Sequence, residues 1–170
     1  ADVGQNPVLI VRDADGSINA FHNSCRHRGS RLCSAAKGKV ANLVCPYHQW
    51  TYDLKGNLLF TGTDVIDNFD KNEHRLGKAH CAVGGGFIFV SLHQQQPEKI
   101  QDFIDSMDEY MEPYDIENTK IAAESSTLEK ANWKLVMENN RECYHCAIGH
   151  PDLIGSLIEY DDINDPRPPQ

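Results

Sequence analysis

The sequence predicts an α+β protein, in which an all-β region is followed by the start of a mixed helix and strand region. Three observations predict this architecture. Short apolar runs alternate with turn residues over 1–95, apolar residues take up helical spacing after Pro97, and a strand-like run precedes a second helical run after residue 118. Short strands at such close intervals are typical of a small sandwich or barrel.

Recognisable turns separate the predicted strands. The segment PVLIVRDADGSINAFHN places two apolar runs around Asp15-Gly16, which is a strong hairpin signal. The segment WTYDLKGNLLF repeats the pattern around residues 55–57. A further short strand follows the glycines at 84–86, which lack the Gly-Lys-Ser/Thr of a phosphate-binding loop. We therefore expect two hairpins and one further strand in the β region.

The chain becomes helical after the β region. The spacing of apolar residues predicts a helix over 100–111, which Pro113 ends. A strand is predicted over 119–130. A second helix is predicted to begin after the N-cap candidate Asn132 and to end at Gly149.

Length, charge and hydropathy bound the class of protein. At 170 residues the chain can hold two small domains, and we place the boundary near residue 113, which gives domains at 1–113 and 114–170. The net charge of −9 argues against nucleic acid as the main partner, since phosphate binding needs a basic face. No apolar run reaches about 18 residues, so we expect no membrane span.

The N-terminus and the cysteines indicate the setting of the chain. The first residues lack the basic and apolar regions of a signal peptide, and a strand-like apolar run begins within the first ten residues. We therefore expect the chain to begin inside a larger protein. Six cysteines are interleaved with histidines at ligand-like spacing, which favours a reducing, cytoplasmic setting over a disulfide-stapled secreted fold.

Two short motifs in the β region carry metal-ligand chemistry. The run 25–27, Cys-Arg-His, is followed by Cys-Pro-Tyr-His at 45–48, so each loop offers one thiolate and one imidazole. Such a pair of loops suits a two-iron cluster, with both thiolates on one iron and both imidazoles on the other. Histidine in place of two cysteines removes negative charge and raises the reduction potential. A structural zinc site is the alternative, although classical zinc fingers group their cysteines together.

A second set of metal-ligand residues lies in NNRECYHCAIGHPDL, residues 139–153. His145 and His150 are five apart, which is about 140° of rotation on an ideal helix. Both can reach one metal only if the helix ends or distorts before His150, which Gly149 favours. Two histidines with a carboxylate and open positions form the facial triad of non-haem Fe(II) oxygenases. Taken alone, this spacing is also compatible with side chains that have no metal.

Cys143 and Cys146 form a Cys-x-x-Cys pair around His145. A thioredoxin-like dithiol needs this motif at a helix N-terminus that follows a strand. Here the pair lies late in a predicted helix, and we interpret both cysteines as packing residues.

The motifs together resemble one known family. The run CRHRGSRLC…CPYHQWTYDLKG is similar to the Rieske motif of Rieske non-haem iron oxygenases, in the large, terminal oxygenase subunit, and NWKLVMENNRECYHCAIGHP resembles the first helix of their catalytic domain. The resemblance implies an all-β Rieske [2Fe–2S] domain followed by the start of a truncated helix-on-sheet catalytic domain. It also implies that Cys25 and Cys45 bind one iron of the cluster, and His27 and His48 the other.

The same resemblance implies a mononuclear Fe(II) bound by His145 and His150. The third ligand in the family is a carboxylate, usually Asp, farther along the chain, so we expect this chain alone to be inactive. Glu142 matches a carboxylate that links the cluster of one subunit to the mononuclear iron of the next in a homotrimer. Here that link would run from His48 through the neighbour's Glu142 to its His145.

Glu142 also bears on the substrate that the resemblance implies. Most members have Asp at this position, and the run NNRECYHC with Glu resembles the branch that acts on quaternary ammonium compounds such as glycine betaine, carnitine or stachydrine. The implied reaction uses O2 to hydroxylate or N-demethylate a small organic substrate. A flavin and iron–sulfur reductase, with or without a ferredoxin, would supply electrons from NAD(P)H.

Two alternatives to this function stay open. One is an aromatic-ring-hydroxylating dioxygenase of the same family. The other is a Rieske ferredoxin-type electron carrier with no chemistry of its own, although a carrier needs no second histidine pair.

Residues around the two loops bear on the cluster's reduction potential. The disulfide-forming cysteines of respiratory Rieske proteins are missing, and Gln49 and Trp50 lack the hydroxyl donor that usually follows the second loop. We therefore expect a potential at the lower end of the Rieske range. Arg26, Arg28 and Arg31 surround the first loop; they stabilise the reduced cluster, dock an acidic partner or are simply solvated.

Overall fold

The computed structural model of the chain describes residues 1–62, 68–142 and 144–152. The chain divides into two compact units, one spanning Ala1–Lys120 and one that begins at Ile121. The predicted domain boundary near residue 113 stays a prediction.

The described strands pair antiparallel in two sheets. One sheet has five strands in the order β1-β2-β3-β7-β8, and the other has three in the order β4-β5-β6. This confirms the predicted α+β class with its all-β beginning. The strands are β1 Asp2–Val3, β2 Asn6–Arg12, β3 Ile18–His22, β4 Leu43–Val44, β5 Thr51–Tyr52, β6 Leu58–Phe60, β7 Lys78–Gly84 and β8 Phe87–Ser91.

Both predicted hairpins are confirmed, and an aspartate organises each turn. In the β2–β3 hairpin the carboxylate of Asp15 accepts from the backbone N–H of Ser17 at 2.9 Å. In the β5–β6 hairpin the carboxylate of Asp53 accepts from the backbone N–H groups of Lys55 and Asn57 at 2.9 and 2.7 Å. Local hydrogen bonds of this kind are the reason aspartate favours turns.

The main core contains the cysteines of the two sequence motifs. Phe21 and Tyr52 are fully buried at its centre, and Cys25 and Cys45 are buried beside them. The loops that carry the motifs are therefore anchored in the core through their first residues. The other buried members are Leu32, Leu43, Trp50, Leu58 and Leu76.

The helices follow the sheets. The predicted first helix is confirmed as α1, Ile100–Met111, and its Asp108 accepts from the backbone N–H of Gly85 at 2.6 Å. Asn132 caps α2, Trp133–Arg141, as predicted, by accepting from Lys134 N at 2.9 Å. A single helical turn, α3, spans Cys146–Gly149. Short 3₁₀ turns lie at Lys71–His74, Glu112–Tyr114 and Ile116–Asn118.

Within the described ranges, none of the helices has both the length and the apolar composition that crossing a bilayer requires.

Two predictions for the second unit are wrong. Residues 119–130 form no strand, because a strand exists only where its backbone pairs with a neighbour and no described segment pairs with this one. Ile121 and Leu128 are accordingly 85% and 87% exposed. The predicted helix over 132–149 is broken at Glu142, whose φ and ψ of −120° and 153° are extended.

Gly56 fits a site that no larger residue can occupy. Its φ is +80°, and a Cβ there would lie 2.5 Å from Cε1 of the buried Phe21. Gly56→Ala should therefore lower the free energy of unfolding by about 2–4 kcal/mol, from backbone strain and overpacking together. Hydrogen exchange of the peptide 51–60, followed by mass spectrometry, would measure the loss.

The matched control for this prediction is Gly16→Ala. Gly16 has a φ of +87°, but no atom lies within 4 Å of the added Cβ, so only the backbone strain of about 1 kcal/mol remains. Equal losses for the two substitutions would contradict the role of the Phe21 contact.

Candidate metal-binding sites

The two motif loops have the same backbone hydrogen bonds. In the first loop Cys25 N donates to Ser30 O at 2.8 Å and Gly29 N donates to Cys25 O at 2.9 Å. In the second, Cys45 N donates to Trp50 O at 2.8 Å and Gln49 N donates to Cys45 O at 3.0 Å. Gly29 and Gln49, each the fifth residue of its loop, have left-handed backbones with φ of 71° and 60°. Each cysteine therefore closes its own loop at both ends.

The loops bury their thiols and expose their imidazoles. Cys25 and Cys45 are 3% and 1% exposed, whereas His27 and His48 are exposed. Burial raises the pKa of the Cys25 thiol, and the neighbouring Cys45 adds to this effect. A buried thiolate pair is costly unless a positive centre compensates it, and metal ligation provides that compensation.

The two imidazoles form a second pair on the outside. The ring centroids of His27 and His48 lie 4.6 Å apart in an edge-on arrangement. Desolvation, followed by the positive charges of His48 and Arg28, lowers the pKa of His27. This favours the neutral imidazole, which is the form that binds metals.

The four donors are therefore arranged as two pairs. In the described part of the chain, no group of three or more His, Cys, Asp or Glu side chains is placed to hold one metal ion. A zinc ion would need all four donors around one point, whereas a two-iron cluster takes a thiolate pair on one iron and an imidazole pair on the other. The arrangement fits the cluster.

Residues at the end of the second loop contact the candidate ligands of the first. The Tyr52 hydroxyl lies 3.4 Å from Cys25 Sγ and accepts from Arg26 N at 3.2 Å. The indole of Trp50 stacks on the ring of His27, with centroids 4.8 Å apart and planes 9° from parallel. The two loops are thus braced against each other.

Tyr52 adds to one sequence expectation. Positions 49 and 50 carry no hydroxyl, but Tyr52, two residues farther on, places a hydroxyl 3.4 Å from Cys25 Sγ. Burial raises the pKa of Tyr52, so the phenol keeps its proton. The signal that could have found it is strand alternation, which turns this residue toward the core just after the loop.

Asn23 is a second residue that sequence reasoning missed. It is the buried polar side chain just before the first loop, 7% exposed. Its Oδ1 accepts from Leu32 N and Cys33 N at 3.0 Å each, and its Nδ2 donates to Cys33 O at 2.6 Å. Asn23 therefore fixes the backbone of residues 32 and 33, where the chain leaves the first loop.

The second set of candidate ligands lies around the break after α2. His145 is the N-cap and His150 the C-cap of the single turn α3, and their ring centroids lie 5.3 Å apart. The helix ends at Gly149, before His150, as expected, and His150 is non-helical with φ and ψ of −138° and 56°. A further break occurs at Glu142, before His145. Cys146 is buried, and Cys143 lies outside the described residues.

Glu142 is bound to this turn through both oxygens. Oε1 lies 2.8 Å from Nδ1 of His145, and Oε2 accepts from Tyr144 N at 2.6 Å. The bond from His145, followed by that from Tyr144, lowers the pKa of Glu142, so it is ionised near neutral pH. A carboxylate bound to Nδ1 directs Nε2 of the same ring toward a metal, as outer-shell carboxylates do.

Two family descriptions match the chain in the expected order. Residues 1–64 match the Rieske [2Fe–2S] domain, and residues 107–162 match the catalytic domain of the ring-hydroxylating alpha subunit. The chain belongs to the Rieske oxygenases. Its two matched domains are those that carry a [2Fe–2S] cluster and a mononuclear iron in this family of large subunits.

Relatives of this Rieske oxygenase chain include monooxygenases of quaternary ammonium compounds and an aromatic dioxygenase. The glycine betaine monooxygenase oxygenase subunit of Chromohalobacter salexigens is 59% identical over 165 residues, which cover 97% of this chain and 37% of that protein. A quaternary ammonium Rieske monooxygenase in complex with L-carnitine has a TM-score of 0.76 at 32% identity, covering 88% of this chain and 43% of the other.

An aromatic relative is also similar in structure. Naphthalene 1,2-dioxygenase with bound indole has a TM-score of 0.73 at 30% identity, covering 92% of this chain and 37% of the other. The chain thus spans about two-fifths of the length of these proteins.

Asn23→Ala should lower the free energy of unfolding by about 2–4 kcal/mol, because it leaves the buried N–H of Leu32 and the half-buried N–H of Cys33 without an acceptor. The amides of Leu32 and Cys33 should lose their protection in hydrogen exchange. Asn19→Ala is the control, since Asn19 donates one hydrogen bond to Leu54 O and should cost only about 1 kcal/mol. Unchanged protection at residues 32 and 33 in the Asn23 variant would contradict this role.

Proposed function

We propose that the whole protein is the terminal oxygenase component of a monooxygenase that N-demethylates a quaternary ammonium compound, with glycine betaine as the first candidate. The observation that carries the proposal is the identity of 59% to a glycine betaine monooxygenase oxygenase subunit, against 30% to naphthalene 1,2-dioxygenase. Glu142, at a position where the family usually has Asp, supports the same branch.

The proposed cluster ligands are the two pairs of the motif loops. Cys25 and Cys45 bind one iron through buried thiolates, and His27 and His48 bind the other at the surface. An imidazole pair at the surface gives electrons a short path in and out, while burial of the thiolates keeps water away from the sulfurs.

His145 and His150 are the proposed ligands of the mononuclear iron. They flank one helical turn with their rings 5.3 Å apart, which supports their binding to a common metal. When bound, the cluster provides one-electron transfer and the mononuclear iron provides dioxygen activation.

Glu142 is the proposed connection between the two centres. Its Oε1 accepts the Nδ1 proton of His145 and so fixes the tautomer and ring orientation of that residue. A carboxylate oxygen has lone pairs for a second donor, and in a homotrimer the exposed His48 of the neighbouring subunit is the proposed one.

The overall reaction follows from oxygen insertion into an N-methyl C–H bond. The resulting hydroxymethyl group loses its O–H proton to water and leaves as formaldehyde, and the nitrogen of the tertiary amine keeps the electron pair of the broken C–N bond. One oxygen atom enters the substrate and the other leaves as water, so each turnover needs two electrons and two protons. A reductase that oxidises NAD(P)H supplies these electrons, directly or through a ferredoxin.

The complete protein, supplied with its reductase and NADH, should release formaldehyde from glycine betaine. Carnitine should be a poorer substrate, and naphthalene and benzoate should give no product by mass spectrometry. Formation of a cis-dihydrodiol from an aromatic substrate, without formaldehyde from glycine betaine, would favour the aromatic dioxygenase function instead. A reducible protein that turns over none of these compounds would favour the electron carrier.

Glu142→Gln should keep both metal centres but slow turnover by about 100-fold, in the range found for outer-shell partners of metal ligands. The amide is neutral and has one acceptor oxygen in place of two, so it cannot accept from Tyr144 N and from the imidazoles through separate oxygens as the carboxylate does. Steady-state formaldehyde release and metal content would measure the two effects.

The control for the Glu142 variant is Glu138→Gln, which makes the same chemical change on exposed α2. It should leave turnover within about twofold of wild type, as surface substitutions commonly do. Wild-type turnover in the Glu142→Gln protein would remove the bridging role.

Tyr52→Phe should lower the reduction potential of the cluster by about 40 mV, the one-electron equivalent of a hydrogen bond of about 1 kcal/mol. The Tyr52 hydroxyl lies 3.4 Å from Cys25 Sγ. With Cys25 bound to iron as a thiolate, the phenol is the donor of this bond and stabilises the more negative, reduced cluster. A spectroelectrochemical titration would measure the shift.

Tyr47→Phe is the control for the Tyr52 variant. Tyr47 stacks on His48, but its hydroxyl makes no hydrogen bond within the described residues, so the potential should not move. Equal shifts in the two variants would show that the Cys25 contact does not tune the cluster.

A further inference from the structure

The two candidate imidazole ligands of the cluster have different surroundings. One face of the His27 ring lies on the indole of Trp50, with the two planes 9° from parallel. The His48 ring instead meets that of Tyr47, with centroids 3.8 Å apart and planes tilted by 33°. Trp50 is 8% exposed and Tyr47 is 60% exposed. His27 therefore rests on a buried side chain, whereas His48 rests on one that faces solvent.

Trp50 is held through both its backbone and its side chain. Its carbonyl oxygen accepts from Cys45 N at 2.8 Å and so closes the second loop. Its indole is part of the main core, and the rings of Phe69 and His74 both meet it edge-on, each with its centroid 5.7 Å away. Edge-to-face contacts of this kind are favourable between aromatic rings. The plane of the indole is therefore set by groups other than His27.

The two rings behind the indole are fixed by a short turn. Phe69 and His74 have their ring centroids 4.3 Å apart and their planes tilted by 31°. Between them lies the 3₁₀ turn Lys71–His74, whose N-cap Asp70 accepts from Asn72 N at 2.8 Å. His74 Nδ1 lies 3.0 Å from Asp70 O, so the imidazole is bound to the start of the same turn. Residues 69–74 thus support the indole from behind.

An exposed histidine ligand needs such support. A single bond to iron fixes the position of one ring nitrogen but leaves the ring free to turn about that bond, and the last torsion of a histidine side chain is broad. A stacked aromatic pair favours its own geometry over others by about 2- to 12-fold at room temperature. The stack on Trp50 can therefore fix the ring plane of His27 although the loop around it is exposed.

We infer that Trp50 is a positioning residue for His27, and that Phe69 and His74 act through it. The ring plane of His27 is then fixed within the first unit, whereas that of His48 is left for the neighbouring subunit to fix. The inference rests on the proposed function, in which both histidines bind the cluster and His48 meets Glu142 of a neighbouring subunit.

Pulsed electron paramagnetic resonance of the reduced, ¹⁵N-histidine-labelled complete protein tests this inference, because it reports the nitrogen coupling of each ligating imidazole. The coupling that is lost in His27→Cys belongs to His27. Trp50→Leu should spread this coupling over several values and leave that of His48 unchanged. Trp50→Phe keeps an aromatic ring and should give a single value again. His74→Ala should give a smaller spread than Trp50→Leu, since the stack remains but part of its support is lost.

Two control variants separate positioning from a general loss of structure. Tyr47→Leu removes the exposed ring beside His48 and should leave the His27 coupling at its single value. His80→Ala removes a half-buried histidine of β7, whose ring lies 3.3 Å from Gln94 O, and should change neither coupling.

The reduction potential gives an independent readout. Loss of the indole in Trp50→Leu opens one face of His27 to water, and water stabilises the more negative, reduced cluster, so the potential should rise. This shift is opposite in sign to the one expected for Tyr52→Phe. Trp50→Phe should stay near the wild-type potential, because the face of His27 remains covered.

A single, unshifted His27 coupling in both Trp50→Leu and His74→Ala would overturn the inference. Equal spreading of the two nitrogen couplings would also overturn it, because it would show that both loops had loosened. If Trp50→Leu fails to hold a cluster, His74→Ala decides by the same two outcomes. A wild-type protein without any histidine coupling would instead refute the proposed cluster. Failure of the quaternary ammonium assignment leaves the measurement intact, since it needs no substrate.

Discussion

The rest of the first unit depends on one constraint, the closure of each motif loop by its own cysteine. Cys25 and Cys45 each donate and accept a backbone hydrogen bond within the loop, while their side chains lie in the core. A loop anchored at its first residue turns the later residues outward. The thiols therefore end inside and His27 and His48 outside, which suits a cluster with a thiolate pair on one iron and an imidazole pair on the other.

The second level of organisation is the bracing of one loop by the other. Trp50 and Tyr52 belong to the end of the second loop and to β5, yet they contact His27 and Cys25 of the first. In the second unit the same principle acts within a few residues, since Glu142 interrupts the helix and binds His145. In both places a residue outside the proposed ligand set contacts a proposed ligand and orients its side chain.

The sequence predicted the hairpins and α1, because these depend on local turn signals and on spacing. Spacing also indicated the two candidate donor sets, whose role as ligands stays a prediction. It did not predict Tyr52 or Asn23, because their roles depend on which side chains meet across the fold. The prediction of a continuous helix over 132–149 was wrong at Glu142. Capping residues and hydrophobic periodicity do not indicate that a carboxylate will bind the backbone of the turn that follows. The strand over 119–130 was wrong because pairing is not a local property.

The central claim is that Cys25, Cys45, His27 and His48 hold a Rieske cluster. Electron paramagnetic resonance of the reduced complete protein, labelled with ¹⁵N-histidine, tests it most directly. We predict hyperfine coupling to two histidine nitrogens, with about two acid-labile sulfides per chain, and loss of one nitrogen coupling in His27→Cys. A colourless protein with stoichiometric zinc and no sulfide, or a cluster without histidine coupling, would contradict the account.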